Sequence, residues 1–168
     1  MLNNEGTKTN VDRNNFIITF TRTFDATREQ VFDAWTQAEH IEHWWDPSGL
    51  PLTECVVDLR PGGAFKFTNR DSAHSPPFAG VYRVIERPSE LVFKALGSVG
   101  TVRLEAREAA THMTVSICCV SREHLEQFLK LGVDVGTART LDNLVDYLSS
   151  QAAPRQGQLN ELSEVHVD

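Results

Sequence analysis

The sequence predicts an α+β domain, a curved antiparallel sheet of about seven strands around a long C-terminal helix, with two short helices after the first strand. Three observations carry this expectation. A strand with period-two alternation opens the domain, β-like segments separated by short turn signals fill its middle, and an amphipathic helical stripe closes it. A sheet with one apolar face and a helix with one apolar stripe can bury each other.

In the first strand, residues 16–24 (FIITFTRTF), Phe16, Ile18, Phe20 and Phe24 alternate with Ile17, Thr19, Thr21 and Thr23. Thr27 followed by Gln30 makes a capping-box pattern, and Val31, Ala34, Trp35 and Ala38 recur at helical spacing, so a helix covers about 28–38. Residues 39–45 (EHIEHWW) add a short second helix, which Asp46-Pro47-Ser48-Gly49 ends. Six strands follow, over about 52–58, 64–70, 78–86, 90–96, 100–107 and 111–119. Short links such as Arg60-Pro61-Gly62-Gly63 and Arg87-Pro88-Ser89 make them antiparallel neighbours, and Gly97-Ser98-Val99-Gly100 reads as another hairpin turn. Ser121 is placed to cap the closing helical region. Its stripe is Leu125, Phe128 and Leu129, then Leu141, Leu144, Val145 and Leu148, with Gly132 and Gly136 interrupting between the halves.

Length and charge bound the rest. A chain of 168 residues with 40% hydrophobic and 23% charged residues suits one globular domain with a core large enough to contain a cavity. Residues 1–15 are polar, and 150–168 mix Gln, Pro and Gly with scattered acids. They read as a flexible N-terminal segment and a flexible C-terminal tail around a single domain at 16–149. A net charge of -7 disfavours nucleic acid and anionic lipid as partners. No apolar run suits a signal peptide or a spanning helix, so no membrane insertion is expected. Cys55, Cys118 and Cys119 form no disulfide framework, and a reduced, cytoplasmic protein is the default expectation.

Chemical motifs are sparse. His40 and His43 share a helix face at i and i+3 but lack an evident third ligand, so no metal site is assigned. Adjacent Cys118 and Cys119 match no redox or zinc motif and read as buried strand residues. Neither a phosphate loop nor a GxSxG elbow occurs, so no cofactor is implied. The polar strand residues are Glu54, Asp58, Arg83, Arg103, Glu105 and His112. If Val102, Leu104 and Ala106 face the core, alternation turns Arg103 and Glu105 outward, and Met113 pointing inward likewise turns His112 outward, so no catalytic set emerges.

Several of these segments together resemble the bacterial homologues of the activator of heat-shock-protein ATPase. That family lies within the START-like, birch-pollen-allergen-like helix-grip superfamily. The resemblance rests on Phe24-Asp25-Ala26-Thr27 leading into Val31-Phe32-Asp33-Ala34-Trp35, on Trp44-Trp45 and on Asp58-Leu59-Arg60-Pro61-Gly62-Gly63. It also rests on Gly80 with Glu86-Arg87-Pro88 and Leu91-Val92, and on the closing residues 136–148. The departure is Thr137, where the family commonly places Trp; the smaller side chain would widen one end of a cavity or reflect repacking.

The resemblance implies a helix-grip fold whose interior binds a hydrophobic or amphipathic small molecule. Trp44, Trp45, Phe65, Phe67, Tyr82, Phe93, Met113 and Phe128 are the candidate lining residues, with core packing as the alternative for several of them. Two other readings stand beside binding. One is a cyclase- or hydrolase-like enzyme, which would need inward-facing polar groups. The other is a stress-related co-chaperone module, weakened because the eukaryotic activator also uses a separate N-terminal domain for which this chain has no room. Oligomeric state is left open, a homodimer included.

Overall fold

The elements run β1 (Lys8–Asp12), β2 (Ile17–Phe24), α1 (Arg28–Thr36), α2 (Ala38–Trp44), β3 (Glu54–Val57), β4 (Ala64–Thr68), β5 (Phe78–Glu86), β6 (Glu90–Ala95), β7 (Ser98–Arg107), β8 (Ala110–Cys118), α3 (Arg122–Lys130) and α4 (Val133–Val167). This computed structural model describes residues 6–70 and 76–167, with side chains to residue 151. One eight-stranded antiparallel sheet has the order β1-β2-β8-β7-β6-β5-β4-β3. The helices cover its inner face, giving the helix-grip fold.

The sheet has eight strands where about seven were expected, the additional one being β1 in the N-terminal segment. β1 pairs with β2 from Lys8 opposite Thr21 to Asp12 opposite Ile17. An edge strand is held by main-chain hydrogen bonds and needs no apolar face, so its polar sequence gave no strand signal. Asp12 then closes the turn by accepting from the Asn14 and Asn15 backbone N–H groups at 3.0 and 3.1 Å. At the other end, α4 runs on through the stretch expected to be a loose tail.

Local signals hold elsewhere. Thr27 and Gln30 form the capping box of α1, and the Ser121 side chain caps α3 by accepting from the His124 N–H. Gly132, at φ 78°, separates α3 from α4, whereas Gly136 continues within α4. The β6–β7 turn lies one step earlier than expected. Leu96 (φ 54°) and Gly97 (φ 77°) make a two-residue turn of the I′ kind, and Ser98 already pairs with Ala95.

Ile18, Phe20 and Phe24 are buried on the inner face of β2, where Val102, Leu104, Met113 and Val115 join them. Leu125, Leu141, Leu144 and Val145 close over this core. Alternation also sends Arg22 inward. Its side chain is only 4% exposed, and its Nη1 meets Asp142 of α4 at 2.6 Å. The same carboxylate oxygen accepts from Thr7 N and Oγ1 at 3.1 and 2.7 Å, tying the N-terminal segment to the closing helix. No helix among the described residues is long and apolar enough to cross a membrane.

Candidate functional site

The space between sheet and helices has an aromatic end and an open end. At the aromatic end, alternate residues of β4 aim Phe65 and Phe67 inward. Phe65 meets Tyr82 of β5 and Phe93 of β6 with ring centroids 5.0 and 5.7 Å apart. Gly80 permits this stacking, because a Cβ there would lie 2.7 Å from the Phe65 ring. With Trp35, Trp45 and Phe78 alongside, the rings leave a void of about 10 Å³, so this end is filled.

Toward the start of α4 the same interior opens into a cavity of about 260 Å³. Trp35, Trp45, Phe78 and Phe93 border both spaces. Small residues on the sheet side, Ala95, Ser98 and Gly100, provide room, while Val115, Ile117 and Phe128 add apolar wall. Gly100 pairs with Phe93, and a Cβ on it would meet that ring at 2.5 Å. The glycine therefore lets the ring lie flat on the strand. Val133, Gly136, Thr137, Thr140 and Leu141 form the helical wall. Thr137 thus borders the cavity directly.

One rim is pinned by a histidine. His124 Nε2 lies 3.1 Å from the carbonyl oxygen of Leu96, a cavity residue that is 60% exposed, and Nδ1 accepts from the Val120 N–H at 3.2 Å. With Nδ1 as the acceptor, Nε2 is the donor to the Leu96 carbonyl. The ring also packs edge-on against Phe128, at 4.5 Å.

Among the described residues lining the cavity there is no Asp, Glu, Lys, Arg or His. Its hydroxyls are largely occupied. Ser98 Oγ donates to the Ala95 carbonyl at 2.8 Å, and Thr140 Oγ1 lies 3.1 and 3.0 Å from the carbonyls of Trp45 and Gly136. Two titratable groups stand instead at the aromatic end. Burial, with a smaller contribution from Glu42, pushes the Cys55 thiol up to about 11. Burial also holds the Tyr82 phenol above its ordinary range, so it is protonated at neutral pH.

The sequence candidates divide among these places. Trp45 and Phe93 border both spaces, Phe128 borders the cavity, and Phe65, Phe67 and Tyr82 belong to the filled end. Trp44 and Met113 are both fully buried and border neither space. Trp44 is a structural anchor, its Nε1 donating to the Ala34 carbonyl at 3.0 Å. Trp35 and Phe78 were missed as lining residues. Trp35 sits in the apolar pattern of α1 like any core residue, and nothing in its spacing distinguishes it.

Other polar candidates lie away from the cavity. Glu54, Asp58, Arg83, Arg103 and Glu105 are exposed. His112 is half-buried, with Nδ1 2.7 Å from Thr23 Oγ1. His40 Nδ1 lies 2.6 Å from the Tyr147 hydroxyl, and His43 stacks on the same ring. Among the described residues no group of three or more His, Cys, Asp or Glu is arranged to hold a metal. Cys119 is buried but Cys118 is exposed, so the packing explanation covers only one of the pair.

The segments that carried the resemblance also meet in space. Arg87 forms a two-pronged ion pair with Asp33 of α1, at 2.9 and 3.0 Å. The Gly62 N–H donates to the Tyr82 carbonyl, and the Tyr82 N–H donates to the Gly63 carbonyl, fastening the β3–β4 turn to β5. Known structures share the fold. A solution structure of a protein from Arthrobacter aurescens superposes with a TM-score of 0.74 at 24% identity, covering 85% of this chain and 91% of that one. A crystal structure of a Mycobacterium smegmatis protein gives 0.75 at 21% identity, over 86% and 98%. The solution structure described as an AHSA1-like protein from Aeromonas hydrophila gives 0.65 at 21% identity, over 80% and 94%. These likenesses establish the fold. No curated protein matches the sequence. The family model described as "Activator of Hsp90 ATPase homolog 1-like protein" matches residues 25–149, a span that includes both partners of the Arg87–Asp33 pair and the β3–β4 turn, and the chain belongs to that family.

Proposed function

We propose that the protein binds a small hydrophobic or amphipathic molecule in the cavity beside α4. The observation that carries this reading is a space of about 260 Å³ with an apolar wall and no ionisable side chain among its described lining residues. Binding pockets are typically apolar with a few polar groups and span about 300–1,000 Å³, so the volume suits a compact ligand. Burying apolar ligand surface stabilises the complex by about 25 cal/mol per Å² before the costs of association. Acid–base catalysis would need a titratable group held at the reacting atoms, and the cavity wall offers none among the described residues. Free thiols suit a reducing compartment such as the cytoplasm.

Thermal-shift screening of lipids, sterols and aromatic metabolites tests the reading, with native mass spectrometry for copurified ligand. A ligand at one hundred times its Kd adds about 2.7 kcal/mol to apparent stability, which such a screen detects readily. Trp45→Ala, which removes a shared wall, is expected to weaken any hit at least about tenfold by calorimetric titration, a change of about 1.4 kcal/mol. A broad panel with no shift would defeat the binding reading. The co-chaperone reading draws on the family description alone.

A further inference from the structure

Trp35 and Trp44 are close neighbours, with ring centroids 5.0 Å apart, yet their indole N–H groups are treated differently. Trp44 Nε1 has the Ala34 carbonyl as acceptor. Trp35 Nε1 is buried and has no hydrogen-bond partner among the described residues, although the side chain is only 6% exposed. The Tyr82 hydroxyl, in a residue 3% exposed, likewise has none. Buried donors nearly always find an acceptor, so two such groups near one cavity require an account. Trp35 borders both the cavity and the aromatic end, while Tyr82 borders the aromatic end.

An indole N–H donates only, and a protonated phenol is also an available donor. The deficit is therefore of acceptors. A carboxylate could supply one, but it would enter a wall with no described cationic side chain and lose its hydration uncompensated. An ammonium group offers no acceptor. A neutral oxygen on an apolar skeleton satisfies the donor at a much smaller desolvation cost. We infer that the ligand is an uncharged, largely apolar molecule carrying a carbonyl-type oxygen, and that this oxygen accepts a hydrogen bond from Trp35 Nε1. The inference rests on the binding reading above and specifies its ligand class.

Three probes sharing a phenyl-propyl skeleton separate the two readings: propylbenzene, propiophenone and 3-phenylpropanoate. Each is titrated into the full chain by calorimetry, beside Trp35→Phe, which keeps an aromatic ring and removes the donor. Propiophenone is expected to bind at least as tightly as propylbenzene, although water solvates the ketone better. Its affinity falls about five- to tenfold in Trp35→Phe, while that of propylbenzene changes less than about twofold. In the wild-type protein, the Trp35 indole N–H proton resonance moves downfield with the ketone and not with the hydrocarbon, which supplies a test even if the variant does not fold.

Equal losses for both probes, or a bound ketone that leaves the indole resonance in place, would overturn the donor assignment and leave the binding reading standing. Tightest binding by 3-phenylpropanoate would overturn the uncharged class. Binding by none of the three would count against the cavity as a binding site.

Discussion

The two ends of the interior share four aromatic walls but differ in what completes them. At one end Phe65, Phe67, Tyr82 and Leu91 interlock and leave about 10 Å³. At the other, Ala95, Ser98, Gly100, Gly136 and Thr137 stop short of one another and leave about 260 Å³. Sheet and helices continue past both ends, so side-chain size largely decides which becomes solid core. A cavity is costly to the fold, since its lining loses dispersion contacts that close packing would supply.

Truncating a ring at the filled end gives the largest expected effect. Phe65→Ala should cost about 3–5 kcal/mol, because four neighbouring rings lose their packing partner. Phe128→Ala, at the edge of existing space, should cost less, about 2–3 kcal/mol. Denaturant unfolding of both variants checks the order. Equal losses would mean that the two ends are packed alike.

Filling the open end should erase the contrast from the other side. Thr137→Trp is expected to abolish ligand-induced thermal shifts while changing intrinsic stability by no more than about 0.5–2 kcal/mol in the stabilising direction. Retained binding with a folded variant would show that the ligand does not use this end.

The smallest effect concerns pH. The thiol of Cys55 rises from 9.0 to about 11 on folding, so the folded state keeps a proton that the unfolded chain loses. Its contribution to stability is present below pH 9 and declines as pH rises through about 11; Tyr82 acts in the same direction above pH 10. Both groups stand at the filled end. Alkaline pH should therefore lower the denaturation midpoint before it changes the affinity of a neutral probe, as paired unfolding and titration series would reveal.

Much of the frame was legible because local chemistry and tertiary role agree. Thr27 and Gln30 cap α1, Ser121 caps α3, and the alternation in β2 and β8 sets the buried face. The cavity was less legible because aromatic enrichment marks walls and cores alike. Trp45, Phe93 and Phe128 reached the cavity, whereas Trp44 and Met113 went into solid core. Empty space is created by small residues, and Gly100 or Ala95 gives no sign in sequence of what fails to fill the space above it. Trp35 was hidden for another reason. Whether its N–H finds an acceptor depends on neighbours from several distant strands, which helical spacing cannot reveal.

The edge strand β1 has a consequence for the protein as a folding and handling object. Only β1 and β3 have a neighbour on one side within the described sheet. A chain shortened to begin at residue 16 would uncover the main-chain donors and acceptors of β2, a strand rich in Ile, Phe and Thr. Bare edges of that composition invite pairing between molecules. The polar strand β1 covers that edge and leaves a polar one in its place.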